Sequence, residues 1–103
     1  MSIVIVATFS PRADQRENVL TLLEAAVPQV HQEVGCELYA IHQAKDELVV
    51  IEQWADKDAL SAHGTGQPFT QLSASVEPLL AKPLEIKVLR PVPAENTGLG
   101  QLR

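Results

Sequence analysis

A chain of 103 residues has room for one domain, and a domain of this size buries roughly two thirds of its unfolded surface, enough for a single core. With 46% hydrophobic but only 4% aromatic residues, that core is aliphatic. A formal net charge of −5 without a basic cluster argues against nucleic acid or an anionic membrane surface as a partner.

No stretch approaches the roughly 18 apolar residues that a membrane-spanning helix needs. Residues 3–9, IVIVATF, predict a strand that is apolar on both faces. The segment 2–7 has no basic region before it and runs straight into this strand, so it is not expected to be a signal peptide. Ser10-Pro11 ends the strand. Asp14 followed by Glu17 has the form of a capping box. Behind it Val19, Leu20, Leu22, Leu23, Ala26, Val27 and Val30 recur at helical spacing, predicting a helix over 14–34. Pro28 lies inside that helix, lacks a donor and crowds the carbonyl of Glu24, so a kink or break is expected there. Gly35 supplies a left-handed stop.

Residues 36–44 predict the second strand, with Cys36, Leu38, Ala40, His42 and Ala44 on one face and Glu37, Tyr39, Ile41 and Gln43 on the other. Lys45-Asp46 is a tight connection, which makes an antiparallel hairpin with the third strand. That strand opens with the β-branched run 48–51 and then alternates, so Glu52 and Trp54 point to one side and Gln53 to the other. Asp56 offers an N-cap oxygen to a short helix carrying His63, which Gly64 is expected to stop. Pro68 is placed as the first residue of a third helix, whose stripe is Phe69, Leu72, Val76, Leu79 and Leu80. Pro78 and Lys82-Pro83 close it. Residues 84–92 predict the last strand. The domain is expected to occupy 1–92, and 93–103, with little periodicity, a flexible tail.

Strand, helix, strand, strand, helices, strand is the split βαβ, ferredoxin-like order of an α+β domain: a four-stranded antiparallel sheet with helices on one face. The first and third strands are nevertheless apolar on both faces. A second copy packed sheet to sheet about a two-fold axis satisfies the uncovered face, which predicts a homodimer, a dimeric α/β barrel. The single cysteine, Cys36, cannot form an internal disulfide, so a reducing, cytoplasmic setting is expected.

Three side chains in the stretch 47–63 stand out as candidates for chemistry. Glu52 and Trp54 lie at the end of a strand, and the short helix can fold His63 back over them. Each has a plain structural alternative: Trp54 as core, Glu52 as a local partner, His63 as a surface residue. The histidines at 31, 42 and 63 fall on separate elements, so no metal site is expected. His31, late in the first helix near Glu33, is expected to be solvated. No glycine-rich phosphate or dinucleotide motif is present; Gly64-Thr65-Gly66 is simply a turn. Cys36 is more simply a buried small hydrophobe than a nucleophile.

Glu33-Val34-Gly35-Cys36 with Tyr39, then Ile51-Glu52-Gln53-Trp54, Leu60-Ser61-Ala62-His63, Pro68-Phe69 and Pro83-Leu84-Glu85-Ile86 make an ordered set over residues 3–92. In this set the chain resembles the antibiotic biosynthesis monooxygenase family of dimeric ferredoxin-like proteins, and is most similar to its quinol monooxygenase branch. The resemblance implies oxygen insertion into an electron-rich aromatic or quinol substrate without metal or organic cofactor, in a pocket between sheet and helices. The heme-degrading branch places an Asn, a Trp and a His where this chain has Ala7, His63 and Ser73, so heme degradation is not implied. A branch that processes a small quorum-signal sugar derivative stays open.

A cofactor-free oxygenase needs an apolar pocket, a base for a substrate hydroxyl and polar groups for the resulting anion. His63 is the expected base, with Trp54, Tyr39 and Phe69 holding the ring and Glu52 orienting a donor. The competing reading is a non-catalytic dimeric module that binds a small apolar ligand or none.

Overall fold

The computed structural model describes residues 2–102. It contains β1 (Ile3–Phe9), α1 (Arg16–His31), β2 (Cys36–Gln43), β3 (Leu48–Trp54), α2 (Lys57–Thr65), α3 (Gln67–Val76), a single 3₁₀ turn over Glu77–Leu79, and β4 (Glu85–Leu89). The sheet is antiparallel with the order β2-β3-β1-β4, the ferredoxin-like arrangement expected from the element order.

Period two sorts the strands. Ile3, Ile5, Ala7 and Phe9 of β1 and Leu48, Val50 and Trp54 of β3 are buried in the core on the helix side. α1 meets them with Val19, Leu23, Ala26 and Val30, one stripe at helical spacing. Each well-buried aliphatic side chain contributes about 1.5–3 kcal/mol, so this stripe outweighs the ~3 kcal/mol of one interior proline. α1 accordingly runs unbroken through Pro28. The lost backbone bond would have gone to Glu24, and both residues are exposed, so solvent can serve that carbonyl. On the opposite side of the sheet, Val4, Val6, Val49 and Ile51 form an apolar strip that no helix among the described residues covers.

Several boundaries differ from the sequence reading for definable reasons. α1 starts at Arg16, with Gln15 as N-cap and no side-chain cap, so Asp14 and Glu17 do not form the capping box. The residues before it are engaged elsewhere: Pro11 bridges Leu80, and Arg12 N–H donates to Leu79 O at 2.9 Å. α1 also ends at His31 rather than at residue 34, and Gln32 to Gly35 form a turn. Gly64 does not stop α2; Gly66 ends it and at once begins α3. A bulge between Cys36 and Leu38 shifts the β2–β3 register, pairing Cys36 with Trp54 but Leu38 with Gln53. Cys36 therefore lies on the helix side, not on the face of Leu38, Ala40 and His42. β4 is shorter than expected, and from Pro91 to residue 102 no helix or strand forms.

Arg16 secures the β2–β3 hairpin. Its guanidinium donates to the carbonyls of Ala44 at 2.7 Å, Lys45 at 3.3 Å and Glu47 at 3.4 Å. The Lys45-Asp46 connection is thereby tied to the first turn of α1.

Gly35 is the backbone hinge that sets the site. Its φ is +83°, the left-handed region that a side chain disfavours. A Cβ there would overlap the Cβ of Ala59 on α2. Its carbonyl accepts from Ala55 N–H at 2.8 Å, so the turn after α1 is fastened to the start of α2. Gly35→Ala combines left-handed strain of about 1–2 kcal/mol with a steric clash. We expect a fall in thermal midpoint of at least about 5 °C, measured by circular dichroism; an unchanged midpoint would show that the turn relaxes freely.

Candidate functional site

Asp56 caps α2 through its carboxylate, which accepts from Ala59 N–H at 2.9 Å. That cap sets the phase of the helix. His63 falls two turns later on the inward face and is 4% exposed. Its ring stacks on the fully buried indole of Trp54, with centroids 4.5 Å apart and planes inclined by 28°. Tyr39 approaches edge-on at 5.9 Å and Phe69 is tilted at 5.5 Å.

The imidazole lies between two carboxylates. Nδ1 is 3.0 Å from Oε1 of Glu33, and Nε2 is 3.8 Å from Oε1 of Glu52. Glu52 is 5% exposed, and the same Oε1 accepts from the indole N–H of Trp54 at 2.9 Å. An ionised carboxylate only accepts, so Nδ1 must carry the proton in the bond to Glu33. The neutral ring then holds its lone pair on Nε2. Because each carboxylate addresses a different nitrogen, the three side chains do not converge on one point as metal ligands must. No group of three His, Cys, Asp or Glu suited to a metal occurs among the described residues.

Burial governs the neighbouring titrations. Glu52 is pushed above the ordinary carboxylate range by loss of solvation, partly offset by the Trp54 N–H and by His63. The Tyr39 hydroxyl is pushed far up by burial, then by Glu52 and Glu33, so it stays a neutral phenol. The Cys36 thiol is likewise raised, by burial first and then by Glu33, and is not an activated nucleophile.

A cavity of about 120 Å³ adjoins the His63 side chain, between the sheet and helices α2 and α3. Tyr39, Glu52, His63 and Phe69 line it, with Ala7 and Leu72 among the apolar walls. Ile86 and Val88 of β4, 47% and 61% exposed, form its open side. All five residues singled out in the sequence thus come together around one imidazole. Trp54 does not line the cavity; it backs His63 from behind. The other two histidines lie outside this cluster. His31 is exposed and donates through Nε2 to Tyr39 O at 3.0 Å, and His42 is on the helix-free face of the sheet.

Glu33 is the member that sequence reasoning did not place. The early end of α1 and the turn at Gly35 carry it to His63, thirty residues further along the chain. Its Oε2 is buried with no hydrogen-bond partner among the described residues, and its one contact there is through Oε1 to His63. Glu33→Ala leaves Nδ1–H unpaired, a loss of about 1–3 kcal/mol. Glu33→Gln keeps an acceptor oxygen and should recover most of that stability. Thermal melts of the pair check this; equal midpoints for the alanine and wild-type proteins would deny Glu33 an anchoring role.

The family model described as "Antibiotic biosynthesis monooxygenase" matches residues 2–74, a span that holds Glu33, Tyr39, Glu52, Trp54, His63 and Phe69. The chain belongs to the antibiotic biosynthesis monooxygenase family. "Putative monooxygenase Rv0793" of Mycobacterium tuberculosis is 32% identical over 92 residues, covering 87% of this chain and 91% of that protein. Its solved structure superposes with a TM-score of 0.86 at 29% identity, covering 94% of this chain and all of that one. The structure of PA3566 from Pseudomonas aeruginosa gives a TM-score of 0.80 at 29% identity, over 88% of this chain and 94% of that one. A Caulobacter crescentus structure described as a putative antibiotic biosynthesis monooxygenase gives 0.82 at 26% identity, over 88% and 90%. These structures share the ferredoxin-like fold with the present chain. Among its described residues no helix is long and apolar enough to cross a membrane.

Proposed function

We propose that this protein is a cofactor-independent monooxygenase acting on a small aromatic or quinol substrate. The observation that carries the proposal is the setting of His63: one nitrogen is bonded to the half-buried carboxylate of Glu33, and the ring lines an apolar cavity. In this reading Nε2 takes the proton of a substrate hydroxyl, and Glu33 holds the resulting imidazolium in place. The phenolate is a far better electron donor to dioxygen than the phenol. One oxygen atom enters the ring and the other leaves as water; phenol and O₂, for example, give benzoquinone and H₂O, with every electron drawn from the substrate. Tyr39, as a neutral phenol, donates to the developing oxyanion, while Phe69 flanks the ring and Glu52 orients the hydroxyl. Trp54 fixes the imidazole by stacking on it.

Oxygen uptake against a panel of phenols and reduced quinols, in buffer stripped of metals, tests the proposal. Saturable uptake with equimolar ring oxidation supports it, and binding without uptake denies it. That second result would favour the alternative of a non-catalytic small-ligand module. Conversion of a sugar-like signal molecule without oxygen would point to isomerase-type processing.

The assembly proposed with this function is a homodimer closed through the helix-free face of the sheet. Val4, Val6, Val49 and Ile51 there, with Leu38 and Ala40 from β2, make a contiguous apolar strip. Light scattering should give twice the 11.2 kDa chain mass. Because subunit contact and folding are then linked, the thermal midpoint should rise with protein concentration. A monomer at micromolar concentration would sink the dimer.

A further inference from the structure

The cavity beside His63 is small and chemically two-sided. Its volume is about 120 Å³, whereas an apolar cavity of about 150 Å³ holds a single benzene ring. Its polar groups are clustered: His63 Nε2 is 3.8 Å from Glu52, and the Tyr39 ring is 5.9 Å from the imidazole. Opposite them the lining is hydrocarbon, and Ala7, Phe9 and Leu72 in it are core residues of low exposure. Such close-packed walls do not retreat cheaply.

We infer that this cavity selects a single-ring phenol or hydroquinone, with one hydroxyl against Tyr39, Glu52 and His63, and discriminates against fused two-ring compounds. Two physical arguments give the two halves of that specificity. An unsubstituted ring leaves the buried polar cluster without a partner, and a site built to hydrogen-bond a hydroxyl rejects the analogue that lacks it. A second fused ring must either displace Phe9 or Leu72 or lie in solvent beside Ile86 and Val88. Displacement costs core packing, and a ring held outside draws the hydroxyl away from Tyr39, Glu52 and His63, so either way binding weakens. The inference rests on the cavity being the substrate site proposed above, but not on the oxygen chemistry.

The test uses the one tryptophan of the chain. Its indole N–H donates to Glu52 and gives a single, self-assigned resonance in a ¹⁵N-labelled sample. Under anaerobic conditions the wild-type protein is titrated with phenol, toluene and 1-naphthol. Phenol should shift the indole resonance saturably, and toluene and 1-naphthol should each bind at least about tenfold more weakly. Ala7→Val adds two methyl groups to the cavity wall and should weaken phenol at least about tenfold, with a thermal midpoint no lower than wild type. Naphthol or toluene binding as tightly as phenol overturns the inference. So does absence of any saturable shift, or a folded Ala7→Val protein with wild-type phenol affinity. Should Ala7→Val fail to fold, the wild-type ring series decides alone. Admitting oxygen separates the two readings. Phenol binding without oxygen uptake removes the oxygenase and leaves the ring selectivity, while faster uptake with 1-naphthol than with phenol does the reverse.

Discussion

His63→Gln is expected to lower oxygen-dependent turnover by about 10²–10⁴-fold, the usual contribution of a positioned general base. Glutamine retains an N–H that can reach Glu33 but has no nitrogen able to accept a proton near neutral pH. The substitution therefore separates proton transfer from packing. His63→Ala should be as inactive, yet it also removes a ring that is buried against Trp54 and leaves the Glu33 carboxylate with no hydrogen-bond partner. It should lose stability by about 2–4 kcal/mol, so the glutamine variant is the sharper probe. Initial rates in an oxygen electrode, with circular dichroism to confirm folding, provide the measurement. Wild-type turnover by folded His63→Gln would move the base elsewhere in the cavity.

Glu52→Gln should move activity and stability in opposite directions. Burial raises the Glu52 carboxyl above its ordinary value of 4.5, so the folded protein holds that proton more tightly than the unfolded chain does. Such a group stabilises the fold below the unfolded value, and the contribution is lost as pH rises through the folded one. At neutral pH the wild-type protein thus carries the cost of a desolvated carboxylate. Glutamine removes that cost and keeps the oxygen that accepts from the Trp54 indole. We expect the variant to melt about 5 °C higher near pH 7.5, which corresponds to roughly 1 kcal/mol in a domain of this size. The difference should close as pH falls towards 4.5. Turnover should drop, because the carboxylate beside Nε2 no longer orients the substrate. Melting curves across that pH range decide the matter; a variant less stable than wild type at pH 7.5 would mean the charge is well compensated.

Much of this arrangement was legible in the residues. Period two in β1 and β3, helical spacing in α1 and α3, the Asp56 cap and the Lys45-Asp46 turn each act over a few residues, and each leads to the element observed. Tyr39, Glu52, Trp54, His63 and Phe69 were selected partly by strand alternation and partly by family resemblance, and they meet at one ring. What escaped was long-range. No local pattern marks Arg16, yet it binds hairpin carbonyls about thirty residues away. The capping box at Asp14 had the right spacing but lost to backbone bonds with the segment after α3. Glu33 looked like helix, because nothing within a local window shows that the turn at Gly35 abuts Ala59. The signal that was present was the Glu33-Val34-Gly35 spacing itself: an acid two residues before an obligatory left-handed glycine.

That turn alters what kinds of sequence change the chain can absorb. Surface connections ordinarily tolerate added or deleted residues, because little depends on their length. Between residues 32 and 35 the chain has to meet three demands at once: a carboxylate at His63 Nδ1, a bare backbone against Ala59, and a carbonyl for Ala55. One inserted residue puts them out of step with one another, however polar and exposed the insertion is. Residues 90–102 are under no such demand, since they add no strand or helix. Length variation is therefore better placed after Leu89, while the short connection between α1 and β2 behaves, for the purpose of engineering, as part of the candidate site.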